Sequence, residues 1–244
     1  MSMRLYPLHF PVQAFYTGTK VELPTTLQSD ISSYWEEAKL ATPHMTNGII
    51  YHVSQFSFPT ATKPTYTFAL QETKYEHYLY SRRKLSEDSP YYCRTLFASS
   101  IIVTADDHFV FGDLGVESFR PGYLQPVGGS LDKSDGTGRE FDLEHTIKRE
   151  VLEEIGIDLR DPNLTRSLEP AYLKQNGNYG IIYRIELNWS SEEIQQNFQK
   201  KRQLGEIDEE FQTLLTVPRN EIRRFLEQDT RRKVDHLHLL MQEA

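Results

Sequence analysis

The most chemically loaded stretch of this sequence is Arg149-Glu150-Val151-Leu152-Glu153-Glu154. Leu143, Ile147, Val151 and Ile155 recur at every fourth position, which predicts an amphipathic helix over about 142–155 with this stripe buried. Glu150, Glu153 and Glu154 stand at i, i+3 and i+4 and so share another face. Gly156 suits the left-handed residue that ends a helix. The like-charged Glu150/Glu154 pair costs roughly 0.2–0.5 kcal/mol. Glu153 and Glu154 also lie at the negative end of the helix dipole, at roughly 0.3–1 kcal/mol each. A bound cation reverses both signs, and hard oxygen ligands at this density suit Mg²⁺ or Mn²⁺. The alternative is a solvated acidic face tempered by Lys148 and Arg149. Gly128-Gly129 lies upstream; paired glycines let the backbone pass close to a ligand or helix and free a carbonyl to act as a ligand, although a plain turn has the same composition.

The elements that must position these groups can be read from periodicity and turn residues. A helix is predicted over 27–40, where Leu27, Ile31, Tyr34, Trp35 and Ala38 share a face, and Asn47-Gly48 then marks a turn. Strands are predicted over 49–58, 66–70, 96–103, 108–111, 172–174, 180–187 and 213–217, with Asp106-Asp107 as a hairpin turn. Helices are predicted over 191–201, 220–227 and 231–242, a short helix or strand over 75–80, and irregular strand and loop over 5–24. The charged run 82–90, ending in Pro90, is the best candidate boundary. It divides an N-terminal α+β extension, 1–90, from a main domain, 91–244. Strands mixed with a few helices indicate a layered α/β or α+β domain rather than a regular βαβ repeat.

Composition narrows the classes of function. The 244 residues are 38% hydrophobic and 25% charged, with formal net charge −8. That charge disfavours a broad nucleic-acid surface, which needs clustered Lys and Arg. It is compatible with a phosphate substrate held through a divalent metal. No run of about 18 apolar residues is present, and the first residues lack the apolar stretch of a signal peptide. A single cysteine, Cys93, forbids an intramolecular disulfide. These features lead to the expectation of a cytoplasmic protein with no membrane partner. His236 and His238, two apart on an expected helix, point in different directions and do not suggest a metal pair.

Gly129 together with Arg149-Glu150-Val151-Leu152-Glu153-Glu154-Ile155-Gly156-Ile157 resembles the Nudix box, G-x5-E-x7-R-E-U-x-E-E-x-G-U, where U is aliphatic. The second half matches at every specified position. The first half is longer: 20 positions separate Gly129 from Arg149 where the pattern has 14. Counting back from Arg149, the box glutamate falls on Phe141, with Glu140 and Glu144 as nearby substitutes. Beyond the box, Trp35, Pro43, Asn47-Gly48, Ser190-Ser191-Glu192-Glu193, the acidic stretch 206–210 and Val217-Pro218 resemble the layout of a Nudix subgroup that includes UDP-glucose and UDP-galactose pyrophosphatases. The resemblance implies a Nudix-type α/β/α sandwich with a mixed sheet. It also implies Mg²⁺- or Mn²⁺-dependent cleavage of the diphosphate linkage of a nucleoside diphosphate derivative, a UDP-sugar being the first candidate. Glu150 and Glu154 would then be the principal metal ligands, with Glu153 and the Gly128 carbonyl completing the set. Arg149 would hold the carboxylates in place. The general base would come from the acidic loop, with Glu206 and Glu210 as its leading members beside Asp208 and Glu209. A homodimer is compatible with this reading. The rival reading is a non-catalytic Nudix-like domain that binds a nucleotide or a protein, and Phe141 is its main support.

Overall fold

A computed structural model describes residues 3–43, 45–115, 118 and 120–241. The N-terminal part forms β1 (Arg4–Pro7), β2 (Val12–Lys20), α1 (Thr25–Ala41), β3 (Ile49–Ser57), β4 (Tyr66–Lys74) and α2 (Tyr75–Lys84). There follow β5 (Leu96–Val103), β6 (His108–Leu114), β7 (Tyr123–Gln125), β8 (Gly128–Ser130), β9 (Gly136–Thr137), β10 (Glu140–Phe141) and α3 (Leu143–Ile155). The chain closes with β11 (Thr165–Asn176), β12 (Asn178–Leu187), α4 (Ser191–Gln203), β13 (Phe211–Pro218), α5 (Ile222–Gln228) and β14 (Arg232–Lys233).

β5 explains the main layering. Its sequence LFASSIIV is apolar or small almost throughout, as a strand covered on both faces must be. Leu96, Ala98 and Ile102 face a core shared with Ile147 and Val151 of α3 and Ile194 and Phe198 of α4. Ile101 and Val103 face a second core, with Phe109 and Phe111 of β6, Ile222 and Leu226 of α5, and Leu237, Leu239 and Leu240. The larger sheet is mixed and runs β1-β11-β12-β5-β6-β7-β14, with β13 on β6 and β8 on β5. β12 pairs parallel to β5, while β11 pairs antiparallel to β12. The fold is therefore mixed α/β, with helices against both faces of this sheet.

A second mixed sheet, β3-β4-β2-β10-β9, is built mostly from the N-terminal part. Pairing crosses the expected 90/91 boundary in both directions: β1 joins β11 of the large sheet, and β10 joins β2 of the small one. Tyr51, Val53, Phe68 and Leu70 of the small sheet lie in the same core as α3. The stretch 5–24, expected as irregular, contains two regular strands, because β1 and β2 each find a partner distant in sequence. The helix expected over 231–242 is replaced by β14 and a 3₁₀ turn, Asp235–Met241. Parallel pairing with β7 holds Arg232 and Lys233 extended before helix can start. Asp107 takes φ 60° in the hairpin between β5 and β6, as its turn assignment requires. Among the described residues no helix is long and apolar enough to cross a membrane.

Candidate functional site

α3 is set by its ends and its stripe. The Asp142 side chain accepts from the amides of Glu144 and His145 (2.9 and 3.0 Å), and Gly156 closes the helix at φ 73°. Leu143, Ile147, Val151 and Ile155 are all buried, so the helix cannot rotate away from the sheet. That orientation drives Glu150 and Glu154 inward against β8. The Gly128 amide donates to Glu154 Oε2 at 3.0 Å. A Cβ on Gly129 would lie 2.3 Å from Glu150 Oε1, so only glycine admits the carboxylate there.

Glu154 is 1% exposed, and its Oε1 has no hydrogen-bond donor. Nearby stands the Glu210 carboxyl, whose charge acts on Glu154. Two buried carboxylates near each other favour a proton or a cation between them. Burial, Glu210 and Glu150 together raise the Glu154 carboxyl well above the usual range, despite the Gly128 amide. Burial likewise pushes Glu150 up to about 7; Arg149 pulls against it, and Glu153 and Glu210 add to it. Glu210 is raised chiefly by burial. It is held in place by two backbone contacts of its loop: the Asp208 amide donates to the Glu153 carbonyl (2.8 Å), and the Gly115 amide donates to the Glu210 carbonyl (2.8 Å).

Arg149 binds the glutamates rather than open solvent. Its Nη1 meets Glu153 Oε2 at 2.7 Å and its Nη2 meets Glu150 Oε1 at 2.9 Å. Its Nε and Nη2 also donate to Asp135 Oδ1 and Oδ2 at 2.9 and 3.0 Å. Asp135 is buried, and its Oδ2 also accepts from the Asp132 amide. This corrects the expectation centred on Phe141. Phe141 lies in β10 against Tyr51, ring centres 4.5 Å apart. Glu140 is exposed in the same strand, and Glu144 pairs with Lys148 at 2.6 Å. Counted forward from Gly129, the box acid falls on Asp135. The six extra residues come after it and form the hairpin β9–β10, which joins the small sheet. The forward count was available in the sequence; the count back from Arg149 hid it.

The remaining candidates separate. Glu153 is on the outer side of α3, with its side chain 43% exposed. Glu206 pairs with Lys201 at 2.5 Å on the surface, away from Glu150 and Glu154, so within the acidic loop the structure brings Glu210 and not Glu206 to the cluster. Among the described residues no three His, Cys, Asp or Glu side chains converge as a preformed metal shell; Glu150 is turned towards Arg149. The donor chemistry nonetheless fits a hard cation, because Glu154 Oε1 is buried without a partner and three carboxyls there repel one another.

These residues border a cleft of about 910 Å³. Its walls include Glu150, Glu210, Gly128 and Gly129, together with Tyr78, Arg82 and Arg83 from the N-terminal part. His236 lines it too: its Nδ1 lies 3.2 Å from Asp235 Oδ1 and its Nε2 3.2 Å from Ser99 Oγ. The sequence carries no local signal for Tyr78, Arg82, Lys174 or His236, which reach the cleft from three separate elements.

No family model and no curated protein matches the chain. Solved structures do. The chain is similar to DR0079 from Deinococcus radiodurans (12% identity, TM-score 0.42, covering 61% of this chain and 82% of that one). It is similar to a NUDIX hydrolase from Nitrosomonas europaea (11%, 0.38, 62% and 87%). It is also similar to the NUDIX domain of NrtR from Shewanella oneidensis, solved with ADP ribose (14%, 0.39, 62% and 86%).

Proposed function

We propose that the protein is a Nudix-type hydrolase that cleaves the diphosphate linkage of a nucleoside diphosphate derivative with the help of Mg²⁺ or Mn²⁺. The observation that carries this reading is Glu154: a buried carboxylate with one oxygen unpartnered, facing Glu210 and flanked by Glu150. Glu154 and Glu150 would hold the ion, with Glu210 beside them and the Gly128 carbonyl and Glu153 as further donors. When bound, the ion would offset phosphate charge and acidify a water molecule. Glu210, raised by burial, would take the proton of the attacking water. Arg149, locked by Asp135, keeps Glu150 and Glu153 from swinging into solvent. Water would add to one phosphorus, the P–O–P bond would break, and the two products would each leave as a phosphate monoester.

The rival of a non-catalytic domain rests on the absent glutamate at Phe141, and the bond from Arg149 to Asp135 weighs against it. A UDP-sugar remains the first substrate to try. The test is product release from UDP-glucose, UDP-galactose, ADP-ribose and nucleoside triphosphates, with Mg²⁺ and with chelator. Metal-dependent cleavage of a diphosphate is the expected result. Saturable nucleotide binding without turnover of any of them would refute the enzymatic reading.

A further inference from the structure

The cleft carries a second, opposite imbalance of charge. Six of its lining residues are Lys or Arg and three are Asp or Glu, in a chain whose net charge is −8. Lys174, on β11, is 5% exposed. Its Nζ lies 2.8 Å from Asp235 Oδ1 and 5.3 Å from the centre of the Phe97 ring. Asp235 is not its alone, because Oδ1 also meets His236 and Oδ2 accepts from Asn176 at 2.5 Å. Arg120 and Arg232 each stand 5.9 Å from the centre of the Tyr123 ring. Among the described residues neither has a carboxylate within ion-pair reach. Arg82 enters from α2, tied to the Tyr92 hydroxyl. Burial lowers the Lys174 ammonium; Asp235 opposes this, and Arg120 and Arg82, which line the same cleft, add to the lowering. His236 is kept neutral chiefly by burial and adds no charge of its own.

Cations that outnumber the carboxylates in the wall of one cleft leave a surplus of positive charge that a bound anion would offset. We propose that Lys174, Arg120 and Arg82 form an oxyanion subsite that binds a phosphate group without any divalent ion. Planar guanidinium groups and a point-charge ammonium from three elements are the donors such a group takes. In the enzyme this subsite would hold the phosphate that the carboxylates do not reach, an assignment that rests on the proposed function. The subsite itself does not.

The experiment is a calorimetric titration of the full chain with inorganic phosphate in excess chelator at low ionic strength. Wild-type protein is expected to bind one phosphate, and Lys174→Met and Arg120→Gln each to weaken it by roughly ten-fold or more. Lys200→Gln, on the exposed face of α4, is expected to change nothing. Arg120 is half-buried and has no ion pair among the described residues, so its variant keeps the test alive if Lys174→Met does not fold. Absence of phosphate binding in chelator, or equal binding by wild type and Arg120→Gln, would overturn the subsite. A protein that binds phosphate in this way yet hydrolyses no diphosphate would overturn the proposed function and leave the subsite standing.

Discussion

Glu154 has one amide for one of its oxygens and none for the other, and every near neighbour with charge is another carboxyl. Replacing it with Gln removes the buried negative charge while keeping the shape, and gives Glu210 a donor. Glu154→Gln is expected to lower kcat by roughly 100-fold or more. In metal-free buffer it is expected to leave stability unchanged or raise it by about 1–3 kcal/mol. A parallel loss of stability and activity in thermal melts and steady-state rates would show that Glu154 is merely structural. Asp135 has the opposite character. It is a buried anion paired with the Arg149 guanidinium, which loses two of its bonds when Asp135 is removed, so Asp135→Ala is expected to cost about 3–5 kcal/mol in denaturant unfolding. Phe141→Glu in that background is expected to recover none of it, because Phe141 faces Tyr51 across the small sheet. Recovery would mean that the acid belongs at 141 after all. The carboxylates of α3 were legible because their spacing, cap and apolar stripe are all local. Asp135 was not, because a hairpin of variable length separates it from Arg149. Glu210 could not be told from Glu206 either, since only backbone contacts to Glu153 and Gly115 decide which end of the loop turns inward.

At the scale of elements, the approach of β8 to α3 leaves no room for side chains. A Cβ at Gly128, whose φ is 148°, would lie 2.4 Å from the Ala98 carbonyl, and one at Gly129 would strike Glu150. Gly129→Ala is expected to displace Glu150 and depress turnover by roughly ten-fold or more at saturating metal; an unchanged rate would show that Glu150 need not sit there. The two sheets meet where the His52 ring accepts the Arg94 amide at 3.1 Å and the Val53 amide donates to the Arg94 carbonyl. Burial, with His77 and Arg94 adding to it, lowers His52 to about 4. The unfolded chain therefore takes up a proton near pH 6.5 that the folded chain refuses until about 4. Stability is full above pH 6.5 and is lost as pH falls towards 4, by about 3 kcal/mol from this group. His52→Gln is expected to flatten that slope in melts taken from pH 7 to 5, and a slope left intact would remove His52 from the account. The strands at 49–57 and 96–103 and the helix at 25–41 were legible to within two residues, whereas β11, expected over 172–174, spans Thr165–Asn176. β1 and β14 were not, because their conformation is imposed by partners more than 100 positions away in sequence.

Over the whole molecule, the sequence suggests a boundary near 82–90, yet strands cross it both ways and one core serves both sheets. The N-terminal part also brings Tyr78, Arg82 and Arg83 to the cleft. We propose that residues 1–90 shape the substrate pocket and that the remainder does not fold without them. A chain beginning at 91 is expected to lack a cooperative melt, and a soluble, active fragment with unchanged substrate preference would refute this. The central claim is that Glu150 and Glu154 hold a divalent cation, with Glu210 beside them. The most direct measurement is Mn²⁺ binding followed by electron paramagnetic resonance, for wild-type protein and Glu154→Gln side by side. Saturable binding by the wild type that is lost in the variant is the expected result. Equal binding by both, or none by the wild type, would contradict it.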